Sequence, residues 1–296
     1  MDPLVTCMNT SDTVAPVVTR FAPSPSGRLH SGHALAAIIP WREALQAGGR
    51  FLLRIEDIDT ERCHAEFEEA IFEDLAWLGL TWEAPVRRQS EHMDDYARAI
   101  MQLQEQGVIY PCFCSRADIR AEIARSHAAP HGPDGALYPG TCRHLSIDER
   151  DTRLKADEPH ALRLDVSKAL GKITVPLTWH DRVAGLVTAR PEQHGDVVLA
   201  RKDTPTSYHL SVVVDDGLQG ITLVTRGKDL FEATDIHCLL QALLGLPVPD
   251  YFHHHLVLDD TGRRLATRHK AETIGQLRDS GLTPEELIKR LGLDQA

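Results

Sequence analysis

The chain has 296 residues, 42% hydrophobic and 25% charged, which is typical of a globular protein with a substantial core. No apolar run approaches the roughly eighteen residues that a transmembrane helix needs, and six cysteines are too few for a disulfide scaffold. The net charge of −11 argues against a protein that coats nucleic acid, but it does not exclude a local basic groove. We therefore expect a cytoplasmic protein. Residues 1–16 lack a basic segment and a continuous apolar one, and we interpret them as a disordered leader rather than a secretory signal.

The first part of the chain after the leader alternates between strand and helix patterns. The β-branched run VVTRF leads into a turn rich in proline and serine, and the apolar helical segment HALAAIIPWREALQ follows, ended by Gly48 and Gly49. RFLLRI is typical of a short buried strand, and AEFEEAIFEDLAWLGL of an amphipathic helix. This order predicts parallel α/β structure with right-handed crossovers.

The pattern changes near Pro111, where turn residues and short β-like runs replace the regular alternation until about residue 194. Strand and helix patterns then resume, and two short helices end the chain, the second capped by Thr283 with Pro284 at its first position. The predicted fold class is α/β: a Rossmann-type, doubly wound parallel sheet with a small inserted zinc-binding subdomain and short C-terminal helices. Its predicted parts are the first half of the catalytic domain (17–110), the inserted subdomain (111–194), the second half (195–260), and a loop with the C-terminal helices (261–296).

His30 and His33 stand at the start of the first predicted helix, with Gly32 between them. The unpaired N–H groups and the dipole of a helix N-terminus attract phosphate, and side chains three residues apart can face the same ligand. Because Gly32 has no side chain, the backbone at this position can approach such a ligand closely. Because the pair follows a strand and a tight turn, we expect it where α/β folds bind ligands. The alternative interpretation is two ordinary surface histidines at a helix start.

Three stretches resemble, in order and spacing, the signature blocks of the glutamyl branch of the class I aminoacyl-tRNA synthetases. RFAPSPSGRLHSGH resembles the HIGH box, and RFLLRIEDID and VVVDDGLQGITLVTRGKDL resemble the next two blocks. Together they extend from Arg20 to about Tyr251, which is most of the chain. The resemblance implies an enzyme that activates L-glutamate with ATP and Mg²⁺ as glutamyl-adenylate.

By this resemblance, His30, Gly32 and His33 would bind ATP, and both histidines would be catalytic, stabilising charge on the α-phosphate as a carboxylate attacks it. The second class I signature, the KMSKS loop, corresponds to RLATRHK. The ATP-binding positions that match it are Arg264, Thr267 and Arg268. Thr267 stands where the family has a lysine, and the loss of that charge would cost about 3 kcal/mol unless Arg264, Arg268 or Lys270 substitutes for it.

The resemblance also assigns a binding site for L-glutamate. The matching positions are Arg20, Phe21, Ala22, Pro23, Ser24, Glu56, Tyr208 and Arg226. Glu56 would hold the ammonium group, and a guanidinium would pair with the side-chain carboxylate, which distinguishes glutamate from glutamine. The alternatives are structural: a helix cap for Glu56, a core position for Tyr208 and a solvated strand end for Arg226.

Three cysteines in the inserted subdomain, Cys112, Cys114 and Cys142, have the spacing of a tetrahedral Zn²⁺ site that lacks one ligand. The candidates for the fourth ligand are His127, His131, His144 and Tyr138. On general chemistry a histidine is the better ligand, whereas the resemblance implies Tyr138, because Y-x3-C after C-x-C is the pattern of the glutamyl-Q tRNA(Asp) synthetases. One structural zinc ion would then close the insert. The alternative is three buried, reduced cysteines.

The chain ends shortly after Lys270, so we expect no anticodon-binding domain of the kind that a full glutamyl-tRNA synthetase carries. This feature, too, is similar to the glutamyl-Q tRNA(Asp) synthetases, which activate glutamate without tRNA and transfer it to the queuosine base in the anticodon loop of tRNA(Asp). The implied partners are L-glutamate, ATP and queuosine-containing tRNA(Asp), with no membrane and a monomeric state. Two alternatives stay open: a truncated synthetase that charges tRNA(Glu), and a non-catalytic paralogue that binds glutamate or tRNA.

Overall fold

The computed structural model describes residues 16–125, 131–132, 135–258 and 272–294. The predicted leader, apart from its last residue, and the loop with Arg264, Thr267 and Arg268 lie outside the described residues. The strands are β1 (Val18–Phe21), β2 (Arg50–Ile55), β3 (Glu83–Arg88), β4 (Ile109–Cys112), β5 (His131–Gly132), β6 (Gly135–Ala136), β7 (Ala161–Leu164), β8 (Thr178–Asp181), β9 (Gly185–Thr188), β10 (Val198–Arg201), β11 (Leu223–Gly227) and β12 (Asp250–His254). The helices are α1 (Ser31–Gln46), α2 (Ala65–Trp77), α3 (Met93–Glu105), α4 (Arg116–Arg125), α5 (Ile147–Lys155), α6 (Val166–Leu170), α7 (Tyr208–Leu218), α8 (Ala233–Leu244), α9 (Ile274–Asp279) and α10 (Pro284–Arg290).

The centre of the molecule is a parallel sheet, which confirms the predicted α/β class. β1 pairs in parallel with β2, β2 with β3, and β11 with β12. β1 also lies beside β11, where the Thr222 N–H donates to the Val18 carbonyl at 3.0 Å. The strands therefore lie in the order β3-β2-β1-β11-β12. The first half of the sheet, β1 to β3, meets the second half, β11 and β12, at the boundary between β1 and β11, which we call the crossing point. Ligands of open α/β sheets bind at such a crossing point, beyond the carboxyl ends of the strands.

A separate antiparallel sheet has the order β10-β7-β4, in which β7 lies within the predicted insert, β4 spans its start and β10 follows its end. The hairpin of β8 and β9 falls within the predicted insert, residues 111–194, but it joins the main sheet. β8 pairs in parallel with β12, with Tyr251 opposite Asp181, and β9 extends the same edge. This pairing brings Asp181 to the strand that carries His253, a contact on which the site depends.

Local sequence signals account for the elements around the crossing point. α1 is followed by Gly48 in the left-handed region, at a φ of 59°, as the double glycine predicts. A Cβ on Gly49 would lie 2.0 Å from the Val17 carbonyl oxygen, so only glycine fits where the chain enters β2. α10 has the predicted Thr283 cap, whose side chain accepts from the Glu286 N–H.

Two hydrophobic cores flank the crossing point. One joins α1, α2 and β2 to the C-terminal helices α9 and α10, and the other joins α3, α7 and α8 to β7 and β10. Among the described helices, none is long and apolar enough to cross a membrane.

Candidate active site

The histidine pair caps the helix that it begins. His30 is the N-cap of α1, and its Nδ1 accepts from the Gly32 N–H at 3.1 Å, while the Nδ1 of His33 accepts from the His30 N–H at 3.2 Å. The two ring centroids are 3.9 Å apart. Because Nδ1 accepts in both rings, each neutral imidazole carries its proton on Nε2. The cap therefore turns both side chains into hydrogen-bond donors of fixed tautomer.

Gly32 has a specific steric role in this cap. A Cβ at this position would lie 3.0 Å from Cε1 and 3.1 Å from Nδ1 of His30. Any larger residue would push the His30 ring away from the N–H groups that it caps. Glycine at this position thus leaves room for the His30 ring where it caps the helix, in addition to the predicted close approach of a ligand.

A cavity of about 600 Å³ opens beyond the carboxyl ends of β1 and β2. The predicted glutamate-binding residues that line it are Ser24, Glu56 and Tyr208, while Arg20, Phe21, Ala22, Pro23 and Arg226 lie outside its lining. The Glu56 N–H donates to the Pro23 carbonyl at 2.9 Å, so the end of β2 is tied to the turn after β1. The opposite wall comes from the predicted insert and from the segment directly after it, which includes β10. It includes Tyr138, Arg163, Asp196 and Arg201.

A buried ion cluster supports Glu56 from below. The Asp216 carboxylate accepts from Arg20 Nε at 3.0 Å and from Arg54 Nη1 at 2.9 Å. Arg54 is fully buried and also lies 3.4 Å from a Glu56 carboxylate oxygen. Although burial opposes its ionisation, Arg20 and Arg54 lower the pKa of Asp216. Arg20, predicted to contact glutamate, uses its Nε and both terminal nitrogens within the protein.

Glu56 differs in its pKa from the Asp216 carboxylate beneath it. Its pKa is raised by burial, against the opposing attraction of Arg54 and Arg20. Arg54 is also shared with Asp215 and Asp216, so it balances the Glu56 charge only in part. A cationic group in the cavity would complete that balance, as the ammonium of an amino acid does.

Arg226 is buried at the end of β11, and its hydrogen-bond acceptors among the described residues are all neutral groups. Its Nε donates to His253 Nε2 at 3.0 Å, and its Nη2 to Thr234 Oγ1 at 2.6 Å. Its Nη1 contacts His237 Nδ1 at 3.1 Å and the Tyr208 hydroxyl, which lines the cavity, at 3.4 Å. No carboxylate among the described residues forms an ion pair with this guanidinium. A buried cation without an anionic partner is costly, so this arrangement favours an anionic ligand.

The three cysteines come together as predicted. The sulfur atoms of Cys112, Cys114 and Cys142 all lie within 4.8 Å of one another. The Tyr138 hydroxyl lies 3.3 Å from the sulfur of Cys112 and 3.6 Å from that of Cys114, and it accepts from the Cys142 N–H at 2.9 Å. Burial opposes ionisation of Cys112, but hydrogen bonds from Tyr138 and Arg163 lower the pKa of its thiol.

The Tyr138 hydroxyl contacts two of these sulfur atoms, whereas no histidine of the described residues belongs to the cysteine cluster. His144 is exposed, and it is not part of the cysteine cluster. His127 lies outside the described residues, as does the side chain of His131. The Arg163 guanidinium stacks at 3.9 Å on the Tyr138 ring, and both residues line the cavity, so the cysteine cluster that contacts Tyr138 lies behind this part of the wall.

The sequence patterns did not single out several residues on which the site depends: Asp181, Asp215, Asp216, His209, His237 and His253. A signal was present for the aspartates of α7, because two acidic residues following three valines in VVVDDG must be buried with a cationic partner. Asp181 and the histidines lie in unrelated segments and show no local pattern.

Known proteins are similar to this chain in sequence, and solved structures are similar to it in fold. The family described as "tRNA synthetases class I (E and Q), catalytic domain" matches residues 16–294. A glutamyl-Q tRNA(Asp) synthetase of Rhodobacter capsulatus is 48% identical over 94% of this chain and 100% of its own length. A glutamate–tRNA ligase of Aquifex aeolicus is 38% identical over 94% of this chain and 57% of that protein. The crystal structure of a glutamate tRNA ligase from Elizabethkingia meningosepticum in complex with its amino acid matches with a TM-score of 0.76 and 27% identity, covering 94% of this chain and 60% of that one.

Proposed function

Because the chain belongs to the class I tRNA synthetases of the E and Q type and is a ligase of that family, we propose that it activates L-glutamate with ATP in the absence of tRNA. We further propose that it transfers the glutamyl group to the queuosine base in the anticodon loop of tRNA(Asp). The choice of acceptor is supported by the name of the Rhodobacter relative, which this chain covers from end to end.

The observation that carries the choice of glutamate is the Arg226 guanidinium, buried among neutral acceptors and touching Tyr208 at the cavity. In this proposal it pairs with the side-chain carboxylate, and Glu56 holds the ammonium group. The two sites thus present opposite charges, as the two ends of glutamate do. Arg20 supports the site through Asp216, and Ser24 lines the cavity. Phe21, Ala22 and Pro23 lie between these two residues and shape the turn that follows β1.

His30 and His33 act in the activation step. An oxygen of the glutamate α-carboxylate attacks the α-phosphorus of ATP, and the bond to the β-phosphate breaks, so that pyrophosphate leaves with its electron pair. The Nε2–H groups donate to the phosphate oxygens on which negative charge develops, and Mg²⁺ neutralises the triphosphate. Since capping has already fixed both rings, little reorganisation is needed. Gly32 keeps the His30 ring in place.

A structural Zn²⁺ fits the cysteine cluster. Tetrahedral zinc with bonds of about 2.3 Å to sulfur places its sulfur ligands about 3.8 Å apart, and the Cys114 and Cys142 sulfurs are 3.4 Å apart. Cys112, Cys114, Cys142 and Tyr138 would hold the ion, which would fix the insert at the back of the cavity. We expect about one zinc per chain in the purified protein and loss of that zinc in Cys142→Ser, measured by elemental analysis. Full zinc content in the variant would exclude this ligand set.

The function is tested in two stages with the same preparation. Glutamate-dependent exchange of labelled pyrophosphate into ATP, without any RNA, is expected for the first stage. In the second, labelled glutamate is offered with tRNA(Asp) from cells that make queuosine and, as the matched control, from cells that cannot. Label is expected only on the first tRNA. Label on the control tRNA(Asp) or on tRNA(Glu) would overturn the acceptor, and absence of exchange would overturn catalysis.

A further inference from the structure

The environment of Arg226 contains two buried imidazoles, and both are held in a neutral, accepting form. His253 receives the Arg226 Nε–H on Nε2, and its own Nδ1 lies 2.8 Å from Asp181 Oδ2. The proton shared with Asp181 must therefore be on Nδ1 of His253. A charged His253 would have no lone pair to offer the guanidinium.

The second imidazole follows the same logic from the other side. His237 Nδ1 lies 3.1 Å from Arg226 Nη1, and since the guanidinium has only donors, Nδ1 must accept. The proton of His237 is then on Nε2, which lies 3.2 Å from His209 Nδ1 at the cavity wall. Burial and the neighbouring Arg226 lower the pKa of His237 well below its ordinary value.

We propose that His237 and His253 are positioning residues that orient the Arg226 guanidinium without neutralising it, and that this neutrality determines the preference for glutamate over glutamine. The proposal rests on the proposed function, in which Arg226 binds the side-chain carboxylate. A carboxylate in place of either imidazole would orient the guanidinium equally well but would take up its charge. The guanidinium would then have no excess attraction for a carboxylate over an amide.

The opposite arrangement exists in the same molecule. Arg20 donates to Asp216 through Nε and Nη2, and its charge is thereby balanced within the protein. Arg226 is as deeply buried, but its four acceptor side chains are two imidazoles and two hydroxyls. A carboxylate or a neutral acceptor could orient a guanidinium equally well. Only the neutral acceptor leaves the positive charge of the guanidinium unbalanced and able to attract an anionic ligand.

Two variants of His237 separate the effect of side-chain charge from the effect of side-chain shape. His237→Asn keeps a neutral oxygen near the position of Nδ1, and His237→Asp places a carboxylate of the same size there. The measurement is glutamate-dependent pyrophosphate exchange, which yields KM for glutamate, KM for ATP and kcat, with glutamine as the competing amino acid. We expect KM for glutamate to rise no more than about 5-fold in His237→Asn and at least about 50-fold in His237→Asp, with KM for ATP unchanged in both.

Equal KM values for glutamate in the two folded variants would overturn the proposal, as would an unchanged preference over glutamine in His237→Asp. If His237→Asp does not fold, His253→Gln decides. It retains a neutral acceptor for Arg226 but cannot donate to Asp181, so KM for glutamate should rise about 3- to 10-fold at constant KM for ATP. An unchanged KM in that variant would also overturn it. Absence of exchange in the wild type would instead refute the proposed function.

Discussion

Arg20 and Arg54 on one side of the sheet crossing and Arg226 on the other are all buried, with 5%, 0% and 6% of their surface exposed. They differ in their partners. Arg20 and Arg54 share the Asp216 carboxylate, whereas Arg226 donates to imidazoles and hydroxyls. Burial of a charge therefore does not by itself distinguish a structural residue from a binding residue. The charge of the partners does, because a balanced pair is complete and an unbalanced cation needs a ligand.

The largest effect is expected from removing the negative charge of Asp216, which Arg20 and Arg54 share. Asp216→Asn leaves two buried guanidinium groups short of one negative charge, and we expect the free energy of unfolding to fall by about 4 kcal/mol. Urea denaturation measures this loss. The control is Glu83→Gln, which breaks the exposed ion pair with Arg50 and should cost less than about 1 kcal/mol. Similar losses of stability in the two variants would contradict the structural role of Asp216.

Removing the unbalanced cation should affect ligand binding more than folding. Arg226→Met leaves acceptors unpaired but also relieves a buried charge, so we expect it to cost no more than about 2 kcal/mol of stability. L-Glutamate at a hundred times its Kd should add about 2.7 kcal/mol to the unfolding free energy of the wild type. At the same concentration the variant should gain nothing. Thermal melts of the wild type and the variant, with and without glutamate, measure these gains, and glutamine is the control ligand. A glutamate-dependent gain in the variant would contradict the role of Arg226 in binding glutamate.

The parts of the fold and of the site differ in how far the sequence predicts them. The order of strand, turn, helix and strand around His30, and the cysteine cluster, could be predicted because each depends on local periodicity, caps or close spacing. The partners of Arg226 could not, since they come from α7, α8 and β12, and Asp181 lies 72 positions before the histidine that it holds. Only the parallel pairing of β8 with β12, which no local pattern specifies, makes that contact.

The smallest effect concerns the neutral state of His253. Burial and Arg226 lower its pKa to about 4, although Asp181 attracts its proton, while the unfolded chain titrates near 6.5. Between these values the unfolded state binds more protons, so the contribution of this histidine to stability is complete above about pH 6.5 and falls as the pH falls toward 4. From pH 7.5 to 5.5 the loss should be about 1 kcal/mol.

Asp74 acts in the opposite direction and must be separated from His253. Burial raises the pKa of Asp74 to about 6, so its protonated form is favoured in the folded state and its contribution to stability is lost as the pH rises through 6. The pKa values of the buried His237 and His254 are lowered as well, so the pH dependence of the wild type alone does not isolate His253. The difference in unfolding free energy between wild type and His253→Gln, measured in urea, should therefore be about 1 kcal/mol smaller at pH 5.5 than at pH 7.5. A difference that is constant with pH would mean that His253 does not stay neutral beside Arg226.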